Sequence, residues 1–302
     1  MKKKPGKRFK SCSEMKLYSF AKINLGLEVL DRKEDGYHEV RTLLQSVSLH
    51  DVLEFRSAPA DKILLRGNDK SIPWDERNLI YKAAQILKEH QCVSAGVEVW
   101  ADKRIPPGMG LGGGSSNAAM TLYALDKLWG LNLKKRELME LGKKLGTDVP
   151  FFLEGGLCLG LGRGEEVESI QDLPSYYCVL VLPETPIMTA SVYSQFRPSL
   201  TSDAKVSKII GFLKSRRLHL LENSLEETVF RSYPQIEAIK RLFQSTEPEL
   251  SLMSGSGSAV FGLYREERKA REALDEVNRI HPSLLVETIP RERYWSRVFA
   301  GV

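Results

Sequence analysis

The stretch 104-RIPPGMGLGGGSSNAAMTLYAL-125 places five glycines and two serines within the nine residues from Gly108 to Ser116, then runs straight into an apolar helical pattern. Pro106 and Pro107 stiffen the approach, which does not suit a floppy linker. After the glycines come Ser115, Ser116 and Asn117, residue types that cap helices, and then the helix formers Ala118 and Ala119. A helix start leaves amide N–H groups unpaired and carries about half a positive charge. Glycines ahead of it permit left-handed backbone and close approach of a ligand. The combination predicts a phosphate cradle made of backbone amides, with no cationic side chain in it.

Two familiar phosphate motifs do not fit. A P-loop needs lysine directly after the frame Gly108-x-x-x-x-Gly113, where Gly114 stands. Gly108-x-Gly110-x-x-Gly113 satisfies a dinucleotide fingerprint in form only. Prolines separate it from the preceding strand, and the acid expected about twenty residues on is missing.

Composition narrows the setting. A chain of 302 residues has room for two domains, and 42% apolar with 27% charged residues is a globular balance that excludes general disorder. No apolar run approaches the roughly 18 residues that span a bilayer. The first ten residues hold six Lys or Arg and no acid; taking those six from the net +5 leaves the rest at −1, so the charge does not point to nucleic acid. Residues 1–14 read as a disordered basic leader, without the apolar stretch of a secretory signal. Cys12, Cys92, Cys158 and Cys178 form no Cys-x-x-Cys pair, which argues against zinc and against a disulfide framework. They are expected to be small core residues of a cytoplasmic protein.

Strand patterns cover 17–30, 39–49 and 51–55 around an Asp35-Gly36 turn, and 97–103 feeds the glycine stretch. Helical spacing predicts helices over 77–90, 116–129 and 134–145, and a strand over 155–162. The acidic segment 164–175 reads as a crossing between domains. Beyond it come a strand at 177–183, a Pro/Ser/Thr-rich loop at 183–204 and helices at 204–215, 222–231 and 234–245. Strand–turn–strand over 251–264, a helix at 266–280 and a final strand at 284–290 complete an α+β pattern.

The segment Pro107-Gly108-Met109-Gly110-Leu111-Gly112-Gly113-Gly114-Ser115-Ser116-Asn117-Ala118 resembles the second signature of the GHMP kinases. 20-FAKINLGL-27 resembles their first signature and 253-MSGSGSAVFGL-263 their third, in the same order along nearly the whole chain. The resemblance implies a two-domain GHMP kinase fold. Residues 15–165 would form an ATP-binding domain like domain 2 of ribosomal protein S5, and 166–302 a ferredoxin-like substrate-binding domain. Ala21 to Leu25, Asp35-Gly36-Tyr37-His38 and 146-GTDVPFF-152 narrow the likeness to members whose small-molecule substrate carries a cytidine diphosphate and whose product feeds isoprenoid synthesis.

That resemblance also implies roles. Pro106, Pro107, Gly108, Met109, Gly110, Leu111, Gly112, Gly113, Gly114, Ser115 and Ser116 would hold ATP, with Ser115 or Ser116 adding a hydroxyl to Mg²⁺ or a phosphate oxygen. Asp148 would be the general base; on its own it reads equally as a turn aspartate binding nearby amides. Lys22, in an otherwise apolar strand, would pair with Asp148, although an edge lysine pointing to water fits the bare pattern. Asn24 shares its side of the strand and would position substrate. Tyr37 and His38 would take the cytosine, with Thr189 and Tyr193 opposite, although taken singly Tyr37 and His38 read as surface-turn residues and Tyr193 as a core residue. The third signature, Ser254-Gly255-Ser256-Gly257, is expected to buttress the first glycine loop or touch substrate hydroxyls. Three rivals remain open: a GHMP kinase for homoserine, mevalonate or a sugar; a nucleotide-binding regulator or nucleic-acid-binding module that uses its basic leader for contact; and, more distantly, a nicotinamide-dependent oxidoreductase.

Overall fold

A computed structural model describes residues 14–32, 38–185, 187–197 and 207–299. Its frame is a ribbon of two long antiparallel strands, β1 (Glu14–Arg32) and β2 (His38–Ala58). The other edge of β2 is shared: β4 (Gly96–Asp102) pairs with its second half and β5 (Leu157–Leu161) with its first, both antiparallel. β3 (Ile63–Gly67) runs parallel to β4, and β6 (Glu166–Ser169) lies antiparallel to β5.

The ribbon's register slips between Phe20, opposite His50, and Ala21, opposite Val47. A bulge bends a ribbon, and this one carries it from one core into the next. Leu17, Phe20, Leu53 and Phe55 lie in the first core; Ala21, Ile23, Leu25 and Leu43 lie in the second. Past the bulge, the two-residue strand period sends Ile23 and Leu25 inward and leaves Lys22 and Asn24 on the face that lines a cleft.

Four helices cover the first sheet: α1 (Leu79–Gln91), α2 (Gly113–Leu128), α3 (Lys135–Leu145) and α4 (Val149–Glu154). Of the apolar stripe expected at Leu79, Ile80, Ala83, Ala84 and Leu87, α1 buries all but Leu79, which is half-buried, and it is capped by Asn78, whose Oδ1 accepts from Ile80 N at 2.9 Å. The second sheet holds β7 (Tyr177–Val181), β8 (Leu250–Met253), β9 (Val260–Tyr264) and β10 (Ser283–Glu287) in the antiparallel order β10-β7-β9-β8. With α8 (Pro234–Gln244) ahead of β8 and α9 (Glu267–Asn278) ahead of β10, this is the β-α-β-β-α-β ferredoxin-like connection. α5 (Thr189–Gln195), α6 (Lys208–Ser215) and α7 (Glu226–Ser232) are inserted after β7.

Several expectations need correcting. The proposed boundary between 165 and 166 falls inside the β5–β6 hairpin, so the first sheet runs on to Ser169. The chain also returns to that first unit at its far end. α10 (Arg291–Val298) seats Tyr294 and Val298 in the first core, where Tyr294 Oη donates to Phe152 O at 2.8 Å and Trp295 Nε1 to Glu154 O at 3.0 Å. Segments 39–49 and 51–55 form one continuous strand. Cys158 and Cys178 are buried as expected, but Cys92 is exposed, in left-handed backbone at the end of α1. Residues 1–13, the Asp35-Gly36 turn and Tyr37 lie outside the described residues. No described helix is long and apolar enough to cross a membrane.

Candidate active site

Gly108, Gly110 and Gly112 have φ of 72°, 73° and 71°, so the loop ahead of α2 coils through left-handed backbone. Close contact also demands glycine here. A Cβ on Gly110 would fall 2.1 Å from the Ser254 carbonyl oxygen, and one on Gly112 would fall 2.8 Å from the Phe152 ring. α2 starts at Gly113, three residues before the expected start, with Gly112 as an N-cap that offers no side chain. The first backbone bond of the helix runs from Ser116 N to Gly112 O at 2.9 Å. The amides of Gly113, Gly114 and Ser115 therefore have no partner within the helix, as an anion cradle requires.

A buried carboxylate fixes the start of this loop. Asp51, at 0% exposure, accepts from Arg104 N (2.7 Å) and Ile105 N (2.8 Å) through Oδ1. Its Oδ2 accepts from Asn117 Nδ2 at 2.8 Å and from the Lys103 ammonium. Lys103 also donates to Asn117 Oδ1 at 2.8 Å. The ammonium lies 3.4 Å from where a Gly113 Cβ would stand, so a cation does sit beside the helix start, committed to Asp51 and Asn117.

Across from the glycine loop stands the segment between β8 and β9. Ser254 Oγ donates to Gly110 O at 2.9 Å and accepts from Asn24 N at 3.3 Å. Asn223 holds the same segment by donating from Nδ2 to Met253 O (2.8 Å) and Gly255 O (2.7 Å). The third signature thus braces the second through a side-chain hydroxyl and a close backbone contact.

Lys22 Nζ donates to Asn24 Oδ1 at 2.6 Å and lies 3.5 Å from Asp148 Oδ2, with side-chain exposures of 5% for Lys22 and 30% for Asp148. Asn24 is oriented in turn: its Nδ2 donates to Thr42 Oγ1 at 2.8 Å, and Thr42 Oγ1 donates to Gly26 O at 2.9 Å. The Lys22 backbone N–H donates to Leu111 O at 3.0 Å, which ties this strand to the glycine loop. Asp148 precedes α4 but makes no side-chain cap bond to it, so the carboxylate is not spent on local amides. Phe151 and Phe152, which follow Asp148 on α4, are buried in the first core.

Lys22, Asn24, Gly110, Gly112, Asp148, Ser256 and Thr189 line one cleft of about 1160 Å³. At another part of its wall, His38 meets Tyr193 at 5.9 Å between ring centroids and Phe196 edge-on at 5.8 Å. Thr189 Oγ1 and Ser256 Oγ share a hydrogen bond of 2.9 Å. Burial pushes the Tyr193 phenol up to about 12, and the Asp148 carboxylate adds to the rise. An aromatic wall, a lysine–carboxylate pair and a glycine loop therefore meet in one space.

Not every expected residue faces it. Leu111 is 1% exposed and belongs to the second core. Ser116 is 0% exposed, and its Oγ is bonded to Ser19 Oγ at 2.7 Å, so it does not reach a metal or phosphate. Ser115 remains: its Oγ lies 3.7 Å from where a Gly146 Cβ would stand, beside the turn that carries Asp148. Pro106, Pro107, Gly108, Met109, Gly113, Gly114 and Ser115 belong to the loop and the start of α2 but do not line this cleft, where Gly110 and Gly112 do. Asp51, Lys103, Thr42, Arg163, Phe196 and Arg197 were not anticipated; none is marked out by its neighbours in sequence until the fold assembles it.

Comparison with known proteins places this arrangement. Residues 78–156 match the GHMP kinases N terminal domain, and 210–282 match the GHMP kinases C terminal. A protein of Alkaliphilus metalliredigens is 37% identical over 93% of this chain and 99% of its own length. Another, from Pelotomaculum thermopropionicum, is 40% identical over 88% of this chain and 94% of its own. The chain belongs to the GHMP kinase family, with its two-domain fold, and is a small-molecule kinase of that family. Both relatives carry the name 4-diphosphocytidyl-2-C-methyl-D-erythritol kinase. A crystal structure of 4-(cytidine 5'-diphospho)-2C-methyl-D-erythritol kinase is similar at TM-score 0.76 and 34% identity, over 90% of this chain and 98% of that one. A homoserine kinase from Cytophaga hutchinsonii shares the fold at TM-score 0.75 with 18% identity, over 94% of this chain and 98% of that one.

Proposed function

We propose that the chain transfers the γ-phosphoryl group of Mg-ATP to the 2-hydroxyl of 4-diphosphocytidyl-2-C-methyl-D-erythritol, a cytoplasmic step of isoprenoid precursor synthesis by the non-mevalonate route. The observation that carries this reading is the Lys22–Asp148 pair, set in one cleft with the Gly110–Gly112 loop and the His38–Tyr193–Phe196 wall.

Phosphoryl transfer asks the protein mainly for positioning and charge stabilisation. The unpaired amides of Gly113, Gly114 and Ser115 take phosphate oxygens at the positive end of α2. Among the described residues no cluster of three His, Cys, Asp or Glu side chains could hold a metal ion. Mg²⁺ would arrive on the triphosphate, and the Ser115 hydroxyl, beside the turn that carries Asp148, would be available to it. Asp148 accepts the proton of the substrate 2-hydroxyl as that hydroxyl's oxygen bonds to the γ-phosphorus and the bond from the γ-phosphorus to the bridging oxygen breaks, with ADP leaving. Lys22, held by Asn24 and Thr42, fixes the carboxylate and faces the charge that develops on the transferring group. His38 and Tyr193 grip the cytosine, with Phe196 behind the histidine and Tyr37 adjoining in sequence.

Incubation with Mg-ATP and diphosphocytidyl-methylerythritol should give ADP and a 2-phosphorylated product. The same incubation with homoserine or mevalonate should give none. Turnover of homoserine in place of the cytidyl substrate would defeat the assignment.

A further inference from the structure

Two arginines from separate elements, Arg163 and Arg197, line the same cleft as the aromatic wall. Arg163 sits at the tip of the β5–β6 hairpin. That tip is fastened to β2 by the bond from Val40 N to Gly162 O at 2.7 Å, two residues from His38. The Arg163 N–H donates to Glu165 Oε2 at 2.7 Å, and its Nε lies 3.5 Å from Glu165 Oε1, so the turn orients its own side chain. Arg197 directly follows Phe196, the ring that meets His38 edge-on. Its Nη1 donates to the carbonyls of Ser194 (3.1 Å) and Phe196 (3.0 Å).

We propose that Arg163 and Arg197 form the subsite for the diphosphate of a nucleoside-diphosphate-linked substrate. This rests on the cytidyl reading above and deepens it. With the base against His38 and Tyr193, and the alcohol at Asp148, the two phosphates must lie between those ends. They bring negative charge into a cleft whose lining lysine, Lys22, stands at the Asp148 end, beside Asn24. The amides at the start of α2 serve the other phosphate chain, that of ATP. A guanidinium is a fork of five N–H donors that matches phosphate oxygens two at a time, and the internal contacts of both arginines hold those forks in place. Both side chains reach solvent, so replacing them does not open the core.

The test is titration calorimetry of the full chain with CDP and, separately, with cytidine, while the ATP loop is filled by a non-hydrolysable ATP analogue. The wild type should bind CDP about 100-fold more tightly than cytidine, as two charge-assisted contacts allow. In R163Q and in R197Q that preference should shrink about tenfold, with cytidine affinity held within about twofold. R163K and R197K should recover part of it, since a lysine keeps the charge but not the fork. An unchanged CDP-to-cytidine ratio in both glutamine variants overturns the subsite, as does a wild type that binds the two ligands alike. Wild-type turnover of the cytidyl substrate is a separate readout. If it is present while the ratio stays unchanged, only the subsite fails; if it is absent, the proposed function fails whatever the arginines do.

Discussion

Replacing Gly110 with alanine sets a methyl group against the segment that follows β8. The new Cβ would lie 2.1 Å from the Ser254 carbonyl oxygen and 3.1 Å from its carbon, at a φ of +73°. Left-handed backbone costs alanine about 1–2 kcal/mol. Forcing the two backbones apart adds about 1–3 kcal/mol of overpacking. Together these lower Tm by roughly 3–8 °C in a chain of this size. The same parting breaks the 2.9 Å bond from Ser254 Oγ to Gly110 O, so the loop stands away from its place. A displacement near 1 Å costs about 100-fold in kcat/KM for ATP. Gly114 supplies the contrast: a Cβ there meets only Leu79 Cδ1 at 3.6 Å, inside α2 and without positive φ. Gly114→Ala should hold or slightly raise Tm, alanine being favoured over glycine in a helix by up to about 1 kcal/mol. It should still raise KM for ATP, because the methyl stands where phosphates approach the amides. Scanning fluorimetry and an ADP-release assay read both quantities. A wild-type Tm for Gly110→Ala would refute the contact between the two loops. A wild-type KM for Gly114→Ala would refute phosphate binding at the start of α2.

Other expectations follow from the same geometry. Asp51→Asn puts an amide where four donors converge and leaves Lys103 buried without its counter-ion, at a cost of about 3–5 kcal/mol in chemical denaturation. Tyr294→Ala should cost about 3–5 kcal/mol and lower kcat through the loosened α4, whereas Tyr294→Phe, losing one hydroxyl bond, should cost about 1 kcal/mol. Iodoacetamide at pH 8 on the folded protein should modify Cys92 and spare Cys158, whose thiol burial pushes up to about 12, and Cys178, raised by burial as well. Peptide mass spectrometry before and after unfolding checks the pattern.

Long, one-sided elements were legible in the sequence. α1 shows its buried stripe at helical spacing, and the Ile23/Lys22 alternation marks two faces of a strand. Short or enclosed elements were not. β3 is five residues at a sheet edge, and α4 is six residues led by Val149-Pro150, too short to show a period. α10, with three arginines and a glutamate among eight residues, reads as solvated until Tyr294 and Val298 are seen in the core. Ser116 was misjudged because α2 is buried without a break from Ser116 to Leu122, so no polar stripe shows which serine faces outward. At the site, glycines and Asp148 stood out through their neighbours in sequence. Arg163 and Arg197 are two among 44 Lys and Arg, and only the tertiary fold brings them into the cleft that His38 also lines.

The most direct measurement is single-turnover phosphoryl transfer by Asp148→Asn, read beside its affinity for an ATP analogue. Removing a general base while the amide cradle stays in place should slow transfer by about 10³-fold or more and leave the analogue's Kd within about twofold. Transfer near the wild-type rate, or equal losses in binding and in rate, would show that Asp148 is not the group that takes the proton.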